Sequence, residues 1–495
     1  MKKIPYAKLS IAVIVIFAAI RLIFAATHTV SGDACWHLSA ARFIAEENSM
    51  PLFEGIGRLE PFWAPPLFHI IAAFFYKIAM PISLDFADLA SKLVSPIFGV
   101  LTVILLYLIA RRMFDEKTAF YSMLFINFLP VFMDYSIFSY IETTTTFFSA
   151  LSVYLLLKEK YFWSSLALGL AILAKYNALF MFPMLLYLIY KLAKGRKLLT
   201  KRLSIMVLVP AAISSIWFLR NYILLGNPFW PFLNNIFHGV NIGASFNKIA
   251  FGPLFSLDTY LKFYLELFGI PHGSLELLNM FVDPAFKFVF LAWASATVIF
   301  IFPFVIGLFR PRFDNKEKEY FVKSMYILFF SFLVMFFIYL VNVGWFGSRL
   351  LFAVLPFMAI VWAIGMNSVK RSNAYLLLIL IIGFGFIAAE AVKLNIAAKE
   401  WGIYKADFQW ARDNTKQSDL FFGNGQCLSY NIKRQVINHK AAIDFGKVGY
   451  VWTNDRWKID FKINKDSLDK IKQSKEVEVV YDNAGSGTTV YKVKQ

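Results

Sequence analysis

The chain reads as an α-helical polytopic membrane protein with about eleven crossings, interfacial helices in a long first outer loop, and a small extracytoplasmic α/β domain at its C-terminal end. Three observations predict this: more apolar surface than one soluble core could hide, basic clusters spaced between apolar runs, and a break in composition beyond Leu394.

Hydrophobic residues make up 59% of the 495 and charged residues only 17%, with 55 Phe and a mean hydropathy of +0.59, a balance that excludes an ordinary soluble domain. The net charge of +18 would point to nucleic acid in a soluble protein. Here the Lys and Arg residues sit between apolar segments, where they act as topology signals, so no nucleic-acid partner is expected. Two cysteines, Cys35 and Cys427, are too few for a disulfide framework and lack metal-ligand spacing, and the spacing leaves open whether they pair. The first apolar stretch follows Lys2, Lys3 and Lys8 without a convincing cleavage site and reads as a retained anchor.

Positive charge stays on the cytoplasmic side and a crossing needs about 20 mostly apolar residues, so the basic clusters count the spans. They are Lys2/Lys3/Lys8, Arg111/Arg112, Lys158/Lys160, the run from Lys191 to Arg202, Arg310/Arg312/Lys316/Lys318 and Lys370/Arg371. Between successive clusters the chain must cross out and back. The paired apolar runs are 9–29 with 91–110, 117–133 with 143–157, 162–176 with 177–191, 203–219 with 284–308, and 321–341 with 350–367. A last run at 373–391 leads outward, which puts the N-terminus in the cytoplasm and the C-terminus outside.

The segment from Pro65 to Met80 is short for a span and carries His69 and Lys77. Counting it would put Arg111 and Arg112 outside, so it reads as an external helix lying in the interface with Lys77 snorkelling. The first outer loop then extends over about 27–90, long enough to suggest a function. The second, 220–283, contains the turn-rich aromatic run Gly226 to Pro231, suited to the headgroup belt. The sequence divides into a membrane part, 1–394, and an outer domain, 395–495. In the latter, alternating segments at 476–481 and 488–493 flank a D-N-A-G-S-G turn and predict a β-hairpin.

The topology gathers ionisable residues at the outer membrane face. Asp33, His37 and Arg42 lie in the first outer loop, followed by Glu60, Trp63, His69 and Lys77. Asp134 and Glu142 flank a short outer turn, and Lys175, Arg220 and Arg349 stand at outer helix ends. Charge at membrane depth is costly, so such convergence suits a site with a deprotonating carboxylate and an anionic lipid headgroup. Each residue also has a plainer role. Asp33 and Glu142 suit helix N-termini, Asp134 a turn, and the basic residues interface anchors. His37 and His69 read as packing or hydrogen-bonding residues, since no tight ligand cluster surrounds them. No phosphate-binding glycine loop supports a soluble nucleotide donor.

Several motifs in order carry a resemblance. They are G-D-A-C-W-H-L-S-A-A-R-F-I, E-P-F-W-A-P-P-L-F-H, S-Y-I-E, G-L-A-I-L-A-K-Y-N-A-L, W-F-L-R-N-Y-I-L-L-G-N-P-F-W-P-F and G-S-R-L-L-F-A-V-L-P-F. Over about residues 10–370 the chain resembles the GT-C superfamily of polyprenyl-phosphate-dependent glycosyltransferases, in the branch of protein O-mannosyltransferases and lipid A aminoarabinose transferase. The resemblance maps that family's acid after the first helix onto Asp33, its Pro-Pro motif onto Pro65-Pro66, and its outer-loop acid onto Glu142 or Asp134. Two departures stand out. Ala34 replaces a frequent second acid, and Ala64 replaces a frequent basic residue or His before the prolines. The first disfavours a divalent metal; the second leaves phosphate contacts to Lys175, Arg220, Arg349, Arg42 or Lys77.

The resemblance implies transfer of a hexose or mannose-like sugar from a polyprenyl-phosphate carrier to a hydroxyl of a protein, lipid or glycan, with inversion. Asp33 would be the general base, with Glu142 and Asp134 as further acids and His37, Glu60, Trp63 and His69 on the acceptor side. A transporter or flippase of a lipid-linked solute is the alternative. It would tend to place charge at the midplane in repeated halves, and no repeat is visible.

Overall fold

The computed structural model describes residues 5–51, 56–57, 62–193, 195–240, 251–269, 284–309, 313, 315–343, 347–370, 372–423, 426–437, 448–454, 473 and 477–494. Glu60 and the topology signals Lys2, Lys3, Arg310, Arg312 and Arg371 lie outside the described residues.

Helix α1 (Tyr6–Thr27) leads into α2 (Asp33–Glu47), the first helix of the outer loop. Next come α3 (Leu67–Ala79), α4 (Leu84–Lys92) and α5 (Val94–Met113). The Pro65–Met80 segment is thus helical over 13 residues, with Phe68, His69, Ala72 and Tyr76 buried and Ile70, Phe74 and Ile78 exposed. Helices α6 (Glu116–Phe128) and α7 (Pro130–Ile137) form one apolar unit bent by 67°. Leu129 precedes Pro130 and is held extended at φ −71°, ψ 115°, as the proline ring requires of its neighbour. The sequence reading made this one straight run; the proline breaks it.

Helices α8 (Glu142–Leu157) and α9 (Tyr161–Ala174) pack as a pair. A 3₁₀ turn (Tyr176–Met181) then runs into α10 (Phe182–Leu192), followed by α11 (Arg196–Leu225), short α12 (Asn234–Phe237), α13 (Leu257–Leu267), α14 (Pro284–Phe309) and α15 (Lys316–Val343). A second 3₁₀ turn (Ser348–Val354) opens α16 (Leu355–Ser368), and α17 (Ser372–Gly402) is the last long helix. Among the described residues seven helices are long and apolar enough to span, or eight counting the bent pair. The segments 142–157, 161–174 and 176–192 fall at the runs expected to cross but are 14 to 17 residues long, short for an untilted span.

Small residues permit a close helix contact in the bundle. A side chain at Gly307 would meet the Val361 carbonyl and one at Gly365 the Pro303 carbonyl, so α14 and α16 approach backbone to backbone, a device of membrane helices. Arg21 on α1 is buried at 1% exposure. Its guanidinium donates to Ser136 Oγ at 2.9 Å and Asn127 Oδ1 at 2.7 Å and lies 5.1 Å from the Phe132 ring. It therefore ties α1 to both limbs of the bent pair.

The C-terminal domain, expected from the sequence to lie outside and called the outer domain for that reason, contains a mixed six-stranded sheet, ordered β1-β3-β2-β4-β6-β5. Strands β2 (Leu420–Phe422), β3 (Gln435–Ile437) and β4 (Tyr450–Asn454) pair in parallel, and β5 (Val477–Asn483) with β6 (Thr488–Val493) forms the hairpin read from the alternation. The edge strand β1 (Ile56–Gly57) comes from the first outer loop and pairs with β3. Helices α18 (Lys405–Asn414) and α19 (Gln426–Ile432) accompany the sheet. Helix α17 runs to Gly402, past the composition break, because N-I-A-A-K-E supplies good helix formers. The domain's core takes in α2: Ala34, Cys35 and Leu38 are buried with Phe408, Phe421, Leu428 and Trp452, and Cys35 is disulfide-bonded to Cys427 on α19.

Replacing Cys35 and Cys427 together with Ser should loosen the outer domain from α2 and lower stability by about 2–5 kcal/mol. The check is a lower melting temperature and faster limited proteolysis of residues beyond Gly402 in the purified protein.

Candidate active site

Helix α2 starts at Asp33 because Gly32 turns the chain with φ +58°. The Tyr140 hydroxyl lies in van der Waals contact with the place a side chain would take there. Asp33 thus sits in the first turn, where the helix dipole favours a carboxylate. Three other element ends bring charge to it. Glu142 is the first residue of α8, Lys175 lies just beyond α9 in extended backbone, and Arg349 sits in the 3₁₀ turn before α16.

Two ion pairs result. Arg349 Nη1 donates to Asp33 Oδ2 at 2.6 Å, and Lys175 Nζ to Glu142 Oε1 at 2.6 Å. Asp33 is 41% exposed and Glu142 only 2%. The pairs form one electrostatic unit, since Lys175 feels Asp33 and Arg349, and Arg349 feels Glu142. Arg349 also lies 5.8 Å from the Tyr140 ring. The result is a half-open carboxylate held by a guanidinium, beside a buried carboxylate held by an ammonium. Such an arrangement can take a proton and can offer two cations to an anion.

His37 lies one helical turn after Asp33. Its Nδ1 is 2.9 Å from His69 Nε2 on α3, one ring donating to the other. Burial pushes His37 down to about 3 and His69 lower than usual, so both imidazoles are neutral near pH 7 and join α2 to α3.

The remaining predicted residues are placed elsewhere. Asp134 pairs with Lys393 at 2.7 Å, and Lys393 also meets Glu390 at 2.9 Å. Of the two acids offered for the outer-loop role, Glu142 is the one that shares the Asp33 cluster's ion pairs. Arg220 donates to the carbonyls of Phe62 at 2.9 Å and Pro51 at 3.0 Å and lies 4.5 Å from the Trp217 ring, tying down the first outer loop. Trp63 packs on Trp36 and Phe232. Lys77 bonds Asn48, and Arg42 approaches Glu46 at 3.9 Å on the same helix. Glu60 lies outside the described residues. Sequence reasoning passed over Tyr135 and Tyr140, which act on Arg349, and Glu266, whose Oε2 accepts the Ser348 N–H at 2.7 Å. Only Tyr140 carried a signal, inside S-Y-I-E. Among the described residues no three His, Cys, Asp or Glu groups are placed to hold a metal ion.

An apolar groove of about 490 Å³ runs between α9, the 176–181 turn and α11, lined by Ile172, Leu179, Phe182, Val207, Phe218 and Tyr222. Tyr176, next to Lys175, stacks on Phe218 at its wall.

With this geometry in view, similarity to known proteins becomes informative. Aligned over nearly its whole length, the structure is similar to ArnT from Cupriavidus metallidurans bound to undecaprenyl phosphate, with a TM-score of 0.61, 14% identity, and 98% and 97% of the two chains covered. The chain has the GT-C glycosyltransferase fold. It is also similar to the archaeal oligosaccharyltransferase AglB from Archaeoglobus fulgidus in complex with an inhibitory peptide and a dolichol-phosphate, at TM-score 0.54 and 12% identity over 90% of this chain and 69% of that one. Residues 64–219 match the family described as dolichyl-phosphate-mannose-protein mannosyltransferase. An uncharacterised protein of Aquifex aeolicus (strain VF5) is 29% identical over 235 residues, 43% of this chain; the match spans less than half, 46%, of that relative.

Glu142→Ala leaves the Lys175 ammonium without its carboxylate in a buried place and should cost about 3–5 kcal/mol, read as a large drop in melting temperature. For pH, His37 is held near 3 in the fold against 6.5 when free. Its neutral form therefore contributes stability fully above about pH 6.5, and the contribution fades as pH falls toward 3. Melting temperatures between pH 7.5 and 4 should decline, and His37→Gln should flatten that decline.

Proposed function

We propose that the protein is a membrane glycosyltransferase that moves a hexose or mannose-like sugar from a polyprenyl-phosphate carrier to an acceptor hydroxyl at the outer membrane face, with inversion at the anomeric carbon. The observation that carries this reading is the double ion pair, Asp33 with Arg349 and Glu142 with Lys175, at the mouth of the bundle. The fold adds support, because the ArnT structure similar to this chain is bound to undecaprenyl phosphate and that of AglB to a dolichol-phosphate.

The chemistry balances with groups the chain supplies. The acceptor hydroxyl gives its proton to the Asp33 carboxylate as its oxygen attacks the anomeric carbon. The bond from that carbon to the phosphate oxygen breaks on the opposite side. The polyprenyl phosphate leaves with the electron pair, its charge met by Arg349 and Lys175. The same guanidinium that clasps Asp33 thus becomes a phosphate ligand, and its transfer to the donor uncovers the base. The lipid chain occupies the apolar groove lined by Phe218, on which Tyr176 stacks. Glu142 keeps Lys175 in place, and His37, His69 and Trp63 shape the acceptor side. The acceptor is a protein, lipid or glycan.

The same reading places the site on the extracytoplasmic face of a cell membrane. The basic clusters argue for a cytoplasmic N-terminus, and the Cys35–Cys427 disulfide argues that α2 and the outer domain face an oxidising compartment.

Asp33→Asn should lower transfer from a radiolabelled polyprenyl-phosphate sugar by about a hundredfold to ten-thousandfold, while the protein still folds and binds the carrier. Near-normal turnover would remove Asp33 from the role of base. Vectorial movement of the labelled lipid without covalent transfer would favour the flippase alternative.

A further inference from the structure

Arg349 clasps Asp33, and the backbone on either side of it is held by residues from two other elements. On one side, Ser348 opens the 3₁₀ turn, and the first N–H groups of a helical turn have no partner within it. The Glu266 carboxylate takes that N–H, its Oε2 accepting at 2.7 Å, at the end of the turn where negative charge is favoured. On the other side, Asn177 Nδ2 donates to the Leu350 carbonyl at 3.1 Å. Asn177 is buried in the 3₁₀ turn that follows Lys175. This one bond therefore ties a residue two positions from Lys175 to a residue next to Arg349.

Glu266 is presented by a well-anchored helix end. Leu265, Leu267 and Phe268, around it near the C-terminus of α13, are buried. Phe263 and Tyr260 pack on Phe336 of α15, with ring centres 5.9 and 6.1 Å apart, and the Tyr264 hydroxyl bonds Thr297 on α14. Gly269 then adopts φ +78°, and a side chain on it would collide with Pro130 at the bend between α6 and α7. The helix end is thus seated against three parts of the bundle, and Glu266 reaches Ser348 from a fixed base.

We propose that Glu266 and Asn177 are positioning residues for the donor phosphate: they fix the backbone from which Arg349 reaches out and hold it in register with Lys175. Two cations that meet one phosphate must arrive with a set spacing, because charge-assisted hydrogen bonds weaken steeply with poor geometry. With the turn pinned on both sides, the Arg349 side chain passes from Asp33 to the phosphate while its backbone stays in place. The second outer loop, which supplies α13, thereby takes part in recognising the lipid phosphate through Arg349. This inference rests on the glycosyltransferase reading, in which Arg349 and Lys175 receive that phosphate.

The test is the binding of polyprenyl phosphate, and of the neutral polyprenol of the same chain length, to the full-length protein in lipid nanodiscs. Wild type should prefer the phosphate. Glu266→Ala should weaken polyprenyl phosphate by roughly tenfold and polyprenol by less than about twofold, since the groove is untouched and only the phosphate contacts suffer. Glu266→Gln keeps an acceptor for the Ser348 N–H and should recover affinity to within about threefold of wild type. In an Arg349→Gln background, adding Glu266→Ala should cost less than about twofold, as expected of a residue that acts through Arg349. Asn177→Ala should weaken the phosphate by about threefold from the other side of the turn, and it carries the test if Glu266→Ala does not fold. The proposal is overturned if wild type prefers the phosphate and Glu266→Ala, or Asn177→Ala in its place, leaves that preference intact. It is also overturned if phosphate and polyprenol weaken together, if Glu266→Gln fails as badly as Glu266→Ala, or if the loss persists in full with Arg349→Gln. Wild type that binds both lipids equally would contradict the donor reading itself, and this inference with it.

Discussion

A charge held at the edge of a hydrocarbon layer must have a partner, and this molecule is organised around meeting that demand with its own side chains. The pair formed by Asp33 and Arg349 joins the first helix of the outer loop to the turn before α16, 316 residues away in sequence. Glu142 and Lys175 do the same for α8 and α9. Helix ends have unsatisfied backbone groups and solvent nearby, so they are where a bundle can hold ions at moderate cost. Four such ends meet here, and the proposed reactive face is a consequence of their meeting.

The same requirement shapes the interior differently. Arg21 lies within the bundle and is held by hydroxyl, amide and ring groups, which fastens α1 across the proline bend. Asp134, Lys393 and Glu390 form a further, partly buried cluster that fastens α17 to α7. These ionic groups set the geometry of the helices; the Asp33 side chain, at 41% exposure, is the most exposed of the carboxylates in these pairs. On the proposed reading, that contrast between enclosed and half-open charge separates the base from its supports.

Much of the architecture was legible in the sequence because hydrophobicity and positive charge obey one-dimensional rules. Runs expected at 284–308, 321–341 and 350–367 appear as Pro284–Phe309, Lys316–Val343 and Ser348–Ser368. The β5–β6 hairpin followed from period-two alternation around a turn. Asp33, Glu142, Lys175 and Arg349 could be named because the span count read from the sequence placed them at one face. What sequence did not carry was long-range pairing. Nothing local says that Asp33 meets Arg349 rather than Arg220, or that Ile56–Gly57 adds a strand to a sheet 380 residues downstream. Arg220 looked equivalent to Arg349 by position, yet the carbonyls of Pro51 and Phe62 take its donors. The two cysteines left their pairing open, and it emerged only when α2 was found inside the outer domain's core.

The central claim is that the guanidinium of Arg349 and the ammonium of Lys175 receive the donor phosphate and so release Asp33 as base. A structure of the protein with a bound polyprenyl phosphate tests it most directly. The account predicts phosphate oxygens within about 3 Å of Lys175 Nζ and an Arg349 nitrogen, the lipid chain along the groove beside Phe218, and a longer distance from Arg349 to Asp33 than the present 2.6 Å. A phosphate seated away from both residues, with the Asp33–Arg349 pair intact, would contradict it.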